Sequence, residues 1–175
     1  MFYLLMARVL KPDSACLVWY GIGFAPDTFE AMRSLEYRWQ YVNFMPGQNQ
    51  RGAYMTFSNW KGLVGYEKGT RYPNRHIRDL IYDRAYRSLP SGACHWWTKN
   101  ADCVAYYLSA FSERNDVVYD PFSGSGTVPA VCKMLGRQYI AFEIDPDTAN
   151  LARERIANTQ PPLFVPEPEQ MELAL

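Results

Sequence analysis

Gly124, Gly126 and Glu143 are the residues whose type and spacing first suggest chemistry. The two glycines punctuate a small-residue loop, Phe122-Ser123-Gly124-Ser125-Gly126, set between an apolar strand pattern and a helical one. A ligand pressed against backbone at a helix N-terminus leaves no room for a Cβ, and so sharp a turn favours positive φ, so glycine suits both positions. Glu143 follows 17 positions after Gly126, near the end of the next strand pattern. A carboxylate placed there accepts hydrogen bonds from both hydroxyls of a ribose. The three residues together predict a nucleoside pocket. A dinucleotide loop needs a third glycine where this chain has Thr127-Val128-Pro129, and no P-loop ending in Gly-Lys-Ser or Gly-Lys-Thr is present. Asp145, directly before Pro146, reads as a helix N-cap rather than a ligand.

A second cluster spans residues 68–87. Lys68, Arg71, Arg75, Arg78, Arg84 and Arg87 face only Asp79 and Asp83 there, with Tyr72, Tyr82 and Tyr86 interleaved. Such a run could follow a phosphate backbone while its tyrosines meet sugars or bases. A solvated loop and short helix explains the same residues equally well. The chain as a whole offers no attraction of this kind, because 18 basic residues balance 18 acidic ones. Cys16, Cys94, Cys103 and Cys132 form no C-x-x-C pair, which predicts reduced thiols in a cytoplasmic protein and no metal site. No window approaches the roughly 20 apolar residues of a membrane span, and the apolar start lacks a basic region and a cleavage site, so no membrane partner is expected.

The elements that must carry these residues follow from periodicity. Residues 1–10 have helical spacing, broken by Lys11-Pro12-Asp13. No capping residue precedes this helix, and it reads as entered in mid-course, with further sequence expected upstream. Residues 16–20 are an unbroken apolar run, as expected of a central parallel strand covered on both faces. Pro26-Asp27 opens a helix to about residue 37; residues 38–45 and 62–68 read as strands. Then come a helix at 100–111, a strand at 116–120, a helix at 127–135 closed by Gly136, a strand at 138–144, and a helix from Pro146. The last four make one βαβα unit, whose crossover is expected to be right-handed. The tail, 161–175, carries four prolines and three glutamates and is expected to be loose.

Asp120-Pro121-Phe122-Ser123-Gly124-Ser125-Gly126-Thr127 closely resembles the DPFxGSGT motif of the amino-directed DNA methyltransferases, which modify N4 of cytosine or N6 of adenine using S-adenosylmethionine. The resemblance continues through residues 135–143, similar to that family's LGRxYIGxE strand, and through 152–156 in the following helix. Upstream, His95-Trp96-Trp97-Thr98-Lys99-Asn100 is similar to its HPxxKP segment, with both prolines replaced. Leu10-Lys11-Pro12-Asp13 with 17–19 resembles its LKPGG-strand segment. The resemblance implies an α/β, Rossmann-like sheet with helices on both faces, and S-adenosyl-L-methionine as cofactor. It implies that Asp120, Phe122, Ser123, Gly124, Gly126, Thr127, Glu143, Thr98 and Lys99 line the cofactor site, with Lys99 near the cofactor carboxylate. It also implies double-stranded DNA as partner, and the basic stretch at 68–87 then makes Arg71, Arg75, Arg78 and Arg84 the expected phosphate contacts.

One departure outweighs the matches. The family holds the target amine with a polar residue followed by Pro-Pro-aromatic, and the only Pro-Pro here lies in Gln160-Pro161-Pro162-Leu163, with neither flank correct. No catalytic residue is therefore assigned. In members with the catalytic half first, this motif precedes the segment seen here, which implies a truncated form and a sheet missing one inner strand at its N-terminal side. The expected organisation is a partial methyltransferase domain at 1–160, with a DNA-contacting insertion at 68–94, a cofactor-binding half at 95–157, and a tail at 161–175. Two other readings stay open. One is a catalytically silent cofactor-binding remnant, or a subunit completed by a second copy or a complementing chain; the other is a small-molecule methyltransferase or nucleotide-linked oxidoreductase.

Overall fold

The computed structural model describes residues 2–45, 50–51, 57–70, 72–82 and 99–161. The chain divides into two compact units, Met1–Arg84 and Ala85–Leu175.

The first unit opens with α1 (Phe2–Val9), β1 (Ser14–Tyr20), α2 (Ala25–Ala31) and β2 (Glu36–Phe44). Two short strands, β3 (Gln50–Arg51) and β4 (Phe57–Ser58), pair with each other and are followed by β5 (Trp60–Lys68) and β6 (Leu80–Tyr82). The larger sheet has the order β1-β5-β2-β6. β5 runs antiparallel to both β1 and β2, while β6 pairs in parallel with Val42–Phe44. This corrects the expectation of a central parallel strand at 16–20: β1 is antiparallel to its partner and, among the described residues, ends this sheet, while the strand buried throughout is β5, from Gly62 to Glu67. An apolar run reports how fully a strand is covered but not which strand lies beside it. β5 hides its centrality behind two glycines and a buried Glu67.

The glycine at 62 has a packing reason. Tyr20, at the end of β1, lies across it so closely that a Cβ on Gly62 would overlap the phenol ring. The Tyr20 hydroxyl then accepts from Gln40 Nε2 of β2 at 2.6 Å. Tyr20, Met32, Leu35, Val64 and Tyr66 form the core, with Ala7 and Leu10 from the α1 end and Ala25 and Phe29 from α2 packed against it. Three charged side chains are built into this unit. Buried Glu67 is paired with Arg38 Nε at 2.7 Å, and Lys68 Nζ donates to the carbonyls of Ala7 and Leu10, both at 2.7 Å. Lys68 thus caps the C-terminal end of α1, which removes it from the cationic run considered for DNA.

The second unit contains α3 (Ala101–Phe111), β7 (Val117–Asp120), α4 (Thr127–Leu135), β8 (Gln138–Ala141) and α5 (Pro146–Asn158). β7 and β8 are parallel, in register from Val117↔Gln138 to Asp120↔Ala141. Each boundary has a local cause. Asn100 caps α3 by accepting from Asp102 N at 2.9 Å. Gly126 and Gly136 flank α4 in the left-handed region, at φ 76° and 71°. Asp145 accepts from Thr148 N at 2.7 Å with Pro146 in the first turn, the cap expected from the sequence. The expected strand at 138–144 stops at Ala141, because β7 has ended and Phe142 turns along the loop instead: its N–H reaches Asp120 O, and its carbonyl accepts from Ser123 N at 2.9 Å.

The α/β class holds, with one amendment: the larger sheet is mixed rather than wholly parallel. Among the described residues, β1 is paired on one edge only, and so is β7.

Candidate functional site

The loop after β7 is shaped by its own short polar side chains. Asp120 Oδ1 accepts from Phe122 N at 3.3 Å, which turns the chain at Pro121. Ser123 reaches across to Phe142 O with both its N–H and its hydroxyl, at 2.9 and 3.1 Å. Gly126 N closes the turn on Ser123 O at 2.8 Å, and Gly126 O accepts from Ala130 N to begin α4.

Glu143 joins the pieces. Its Oε2 accepts from Gly124 N at 2.9 Å, and its Oε1 accepts from Asp145 N at 3.0 Å. One carboxylate therefore ties the glycine loop to the start of α5, at the C-terminal end of the parallel pair. The C-terminal ends of parallel strands are the side on which open α/β sheets bind ligands.

The two glycines prove to have different reasons. Gly124 has φ 50°, and a Cβ there would meet nothing within 4 Å, so the backbone conformation demands glycine while the space beside it stays open. Gly126 is also left-handed, but its Cβ would lie 2.9 Å from Ala152 Cβ and 3.0 Å from Ala152 Cα. Close approach of α5 is thus a cause at 126 that spacing alone did not reveal. Around the loop stand exposed apolar side chains: Phe122 (71% exposed), Phe142 (56%) and Ile144 (99%). Phe142 and Ile144 flank Glu143 in the sequence, and that position is the one sequence signal that could have singled them out.

Asp120 is half-buried, and burial pushes its carboxyl above the ordinary range. The Phe122 N–H opposes that shift, the Glu143 charge adds to it, and the Lys99 charge opposes it. Lys99 is thus near enough to be felt at the loop, and its carbonyl accepts from Thr127 Oγ1 at 3.4 Å. Asp120, Phe122, Ser123, Gly124, Gly126, Thr127, Glu143 and Lys99 all belong to this neighbourhood. Thr98, Arg71 and Arg84 lie outside the described residues. Arg75 and Arg78 belong to the first unit, the former half-buried and the latter exposed. The described part of the basic stretch contains β6 rather than a helix.

A cleft of about 560 Å³ lies elsewhere on the second unit, lined by Lys133, Arg137, Tyr139, Arg153, Ile156 and Ala157. Two of its three cations are held by helix ends, and the third, Arg153, donates to Asn150 Oδ1 at 2.8 Å. Lys133 Nζ donates to Ile156 O at 2.8 Å, and Arg137 donates to Leu135 O at 2.6 Å and to Ser112 O at 2.7 Å. They neutralise the negative ends of α5, α4 and α3, which disfavours an anionic ligand there.

A glycine loop with positive φ, opening a helix between parallel strands and answered by a carboxylate, is the arrangement the sequence led one to expect of an α/β protein with a nucleoside site. The DNA methylase family model N6_N4_Mtase matches residues 26–154, and the chain belongs to that family. It is 47% identical over 152 residues to the type II methyltransferase M.BamHI of Bacillus amyloliquefaciens, covering 85% of this chain and 32% of that one. It is 37% identical over 67 residues to the type II methyltransferase M.XycI of Xanthomonas campestris pv. cyanopsidis, covering 38% of this chain and 22% of that one. The chain thus spans between about a fifth and a third of the length of these two curated relatives. A crystal structure of M1.HpyAVI with SAM has the same fold, with a TM-score of 0.73 at 19% identity over 88% of this chain and 81% of that one.

Proposed function

We propose that this chain binds S-adenosylmethionine and forms the cofactor-binding part of an amino-directed DNA methyltransferase. The observation that carries the reading is the Glu143 carboxylate bound to Gly124 N and Asp145 N beside an open, positive-φ loop. Two of its roughly four acceptor positions are used internally, which leaves two for ribose hydroxyls.

The residues fit the cofactor. The space beside Gly124 admits a ligand, and the exposed Phe122 and Ile144 offer apolar surface for an adenine ring. Asp120 and Lys99 provide one charge of each sign for the amino and carboxylate groups of its methionine end. When bound, the cofactor supplies a methyl group activated by a sulfonium. This chain's own residues hold its ends, shield its base and present it from a fixed loop.

The acceptor in this reading is the exocyclic amine of cytosine or adenine in double-stranded DNA, as the family and the motif suggest. Holding that amine needs the polar Pro-Pro-aromatic segment, which none of the 175 residues supplies. Arg75 and Arg78, with Arg71 and Arg84, are the candidate phosphate contacts. The cytoplasm is the compartment where such a substrate is met; among the described residues no helix is long and apolar enough to cross a membrane.

Isothermal titration with S-adenosylmethionine and its demethylated product tests the site. Glu143→Ala is expected to weaken binding by about 1.5–3 kcal/mol, the weight of hydrogen bonds to a charged group. Gly124→Val should abolish it, through a branched Cβ at positive φ in the space the ligand needs. Unchanged affinity in both variants would overturn the assignment.

A further inference from the structure

The side chain of Arg155, on the last turn of α5, points at the loop rather than at a carboxylate. Its Nη1 donates to Thr127 Oγ1 at 2.9 Å and lies 3.5 Å from both Ser125 O and Ser125 Oγ. Thr127, only 4% exposed, passes the contact on, since its hydroxyl donates to Lys99 O at 3.4 Å. One turn earlier, Ala152 fills the place a Cβ on Gly126 would take. Residues three apart share a helix face, so α5 meets the loop with two consecutive contacts.

The charge makes this arrangement informative. Lys133 and Arg137 sit at helix C-termini, where the dipole welcomes a cation. Arg155 belongs to the last turn of α5, where a cation is welcome, but its head group reaches the N-terminal turn of α4, where the dipole disfavours one, and no carboxylate among the described residues forms a salt bridge with it. A guanidinium placed there owes its position to its hydrogen bonds with Ser125 and Thr127. A loop containing two left-handed glycines gains stiffness from such an outside tether, added to its own bonds at Ser123 and Glu143.

We propose that Arg155 is a positioning residue for the cofactor loop. It fixes residues 123–127 so that Gly124 N–H stays on Glu143, and it does so without touching the ligand. The inference rests on the cofactor reading above, but its mechanical part concerns the unliganded chain and can be tested separately.

The test compares the full chain with Arg155→Leu, Arg155→Lys, Thr127→Val and the Leu/Val double variant. Two quantities are measured: amide hydrogen exchange at Gly126, whose N–H bonds to Ser123 O, and affinity for S-adenosylhomocysteine. Arg155→Leu is expected to speed exchange at Gly126 and to weaken ligand binding, each about tenfold, the weight of one hydrogen bond to a charged group. Exchange in the core of α3 should stay unchanged. Arg155→Lys should recover part of the loss, because an ammonium can reach the Thr127 hydroxyl but not both neighbours. The double variant should be no worse than the poorer single one, since both remove the same contact. Unaltered exchange at Gly126 in both single variants would overturn the tether. A wild-type chain that fails to bind the ligand would overturn the cofactor reading instead, and the exchange measurement would still decide on Arg155. Should Arg155→Leu fail to fold, Arg155→Lys and Thr127→Val decide the same question.

Discussion

Asp120 shows how one side chain shapes the backbone locally at a cost to stability. Its oxygen turns the loop by accepting from Phe122 N, yet burial and the neighbouring Glu143 raise its pKa in the folded chain. The folded protein therefore holds this proton more tightly than the unfolded one. The ionised carboxylate weakens the fold at neutral pH, and that penalty disappears as pH falls below the ordinary carboxylate range, about 4. Asp120→Asn keeps an acceptor for Phe122 N and removes the charge. It should melt at a higher temperature than the wild type at pH 7, by an amount that shrinks to nothing near pH 3, in thermal scans across that range. A variant less stable than wild type at pH 7 would show that the carboxylate is favourably paired. If Asp120 holds the cofactor as proposed, affinity should move the other way, because a destabilising charge is then retained where binding needs it.

Among the elements, α4 is the one whose two ends matter most. Its N-terminus starts from the loop at Gly126, and its C-terminus is closed by Gly136 and by Arg137, which reaches both Leu135 O and the end of α3 at Ser112. Arg137→Met removes those donors while keeping the apolar stem. It should cost about 1.5–3 kcal/mol in urea unfolding, the range for hydrogen bonds to a charged group. Cofactor affinity should be nearly unchanged, since Arg137 immediately precedes β8 whereas the proposed site lies at the far end of that strand. A large loss of affinity at full stability would mean that the cleft beside Arg137 takes part in binding. In the first unit, β5 teaches the opposite lesson. Its Gly62, Gly65 and Glu67 weaken any apolar reading of the strand, and it is nonetheless the inner strand that joins β1 to β2.

For the molecule as a whole, two measurements bear on what it does with DNA. Neutralising Arg75, Arg78 and Arg84 together should flatten the log–log salt dependence of duplex binding by nearly 3, about 0.9 for each lost phosphate contact. An unaltered slope would return that stretch to ordinary surface. A tritiated-methyl transfer assay on unmethylated genomic DNA should show no turnover above background for the 175-residue chain. Its residues present a cofactor but none can hold the amine in line with it, and a misplacement of even 1 Å costs about 100-fold in rate. Turnover would reveal an amine-holding site that carries no Pro-Pro-aromatic signature.

The βαβα half is largely legible in the amino-acid sequence. Gly124, Gly126, Gly136, Asp145 and Pro146 act within a few residues of themselves, through φ, capping and turn chemistry, so their spacing alone determines where β7, α4 and α5 begin and end. The carboxylate that meets the glycine loop can be placed at Glu143 for the same reason, as one strand length and one helix separate it from the loop. Tertiary structure alone decided three further points. It set β5 between β1 and β2, set Ala152 against Gly126, and turned Arg155 onto Thr127. Each depends on contacts between residues about 20 to 50 positions apart. Periodicity reports the face of an element that is buried; only packing selects the neighbour against which it is buried.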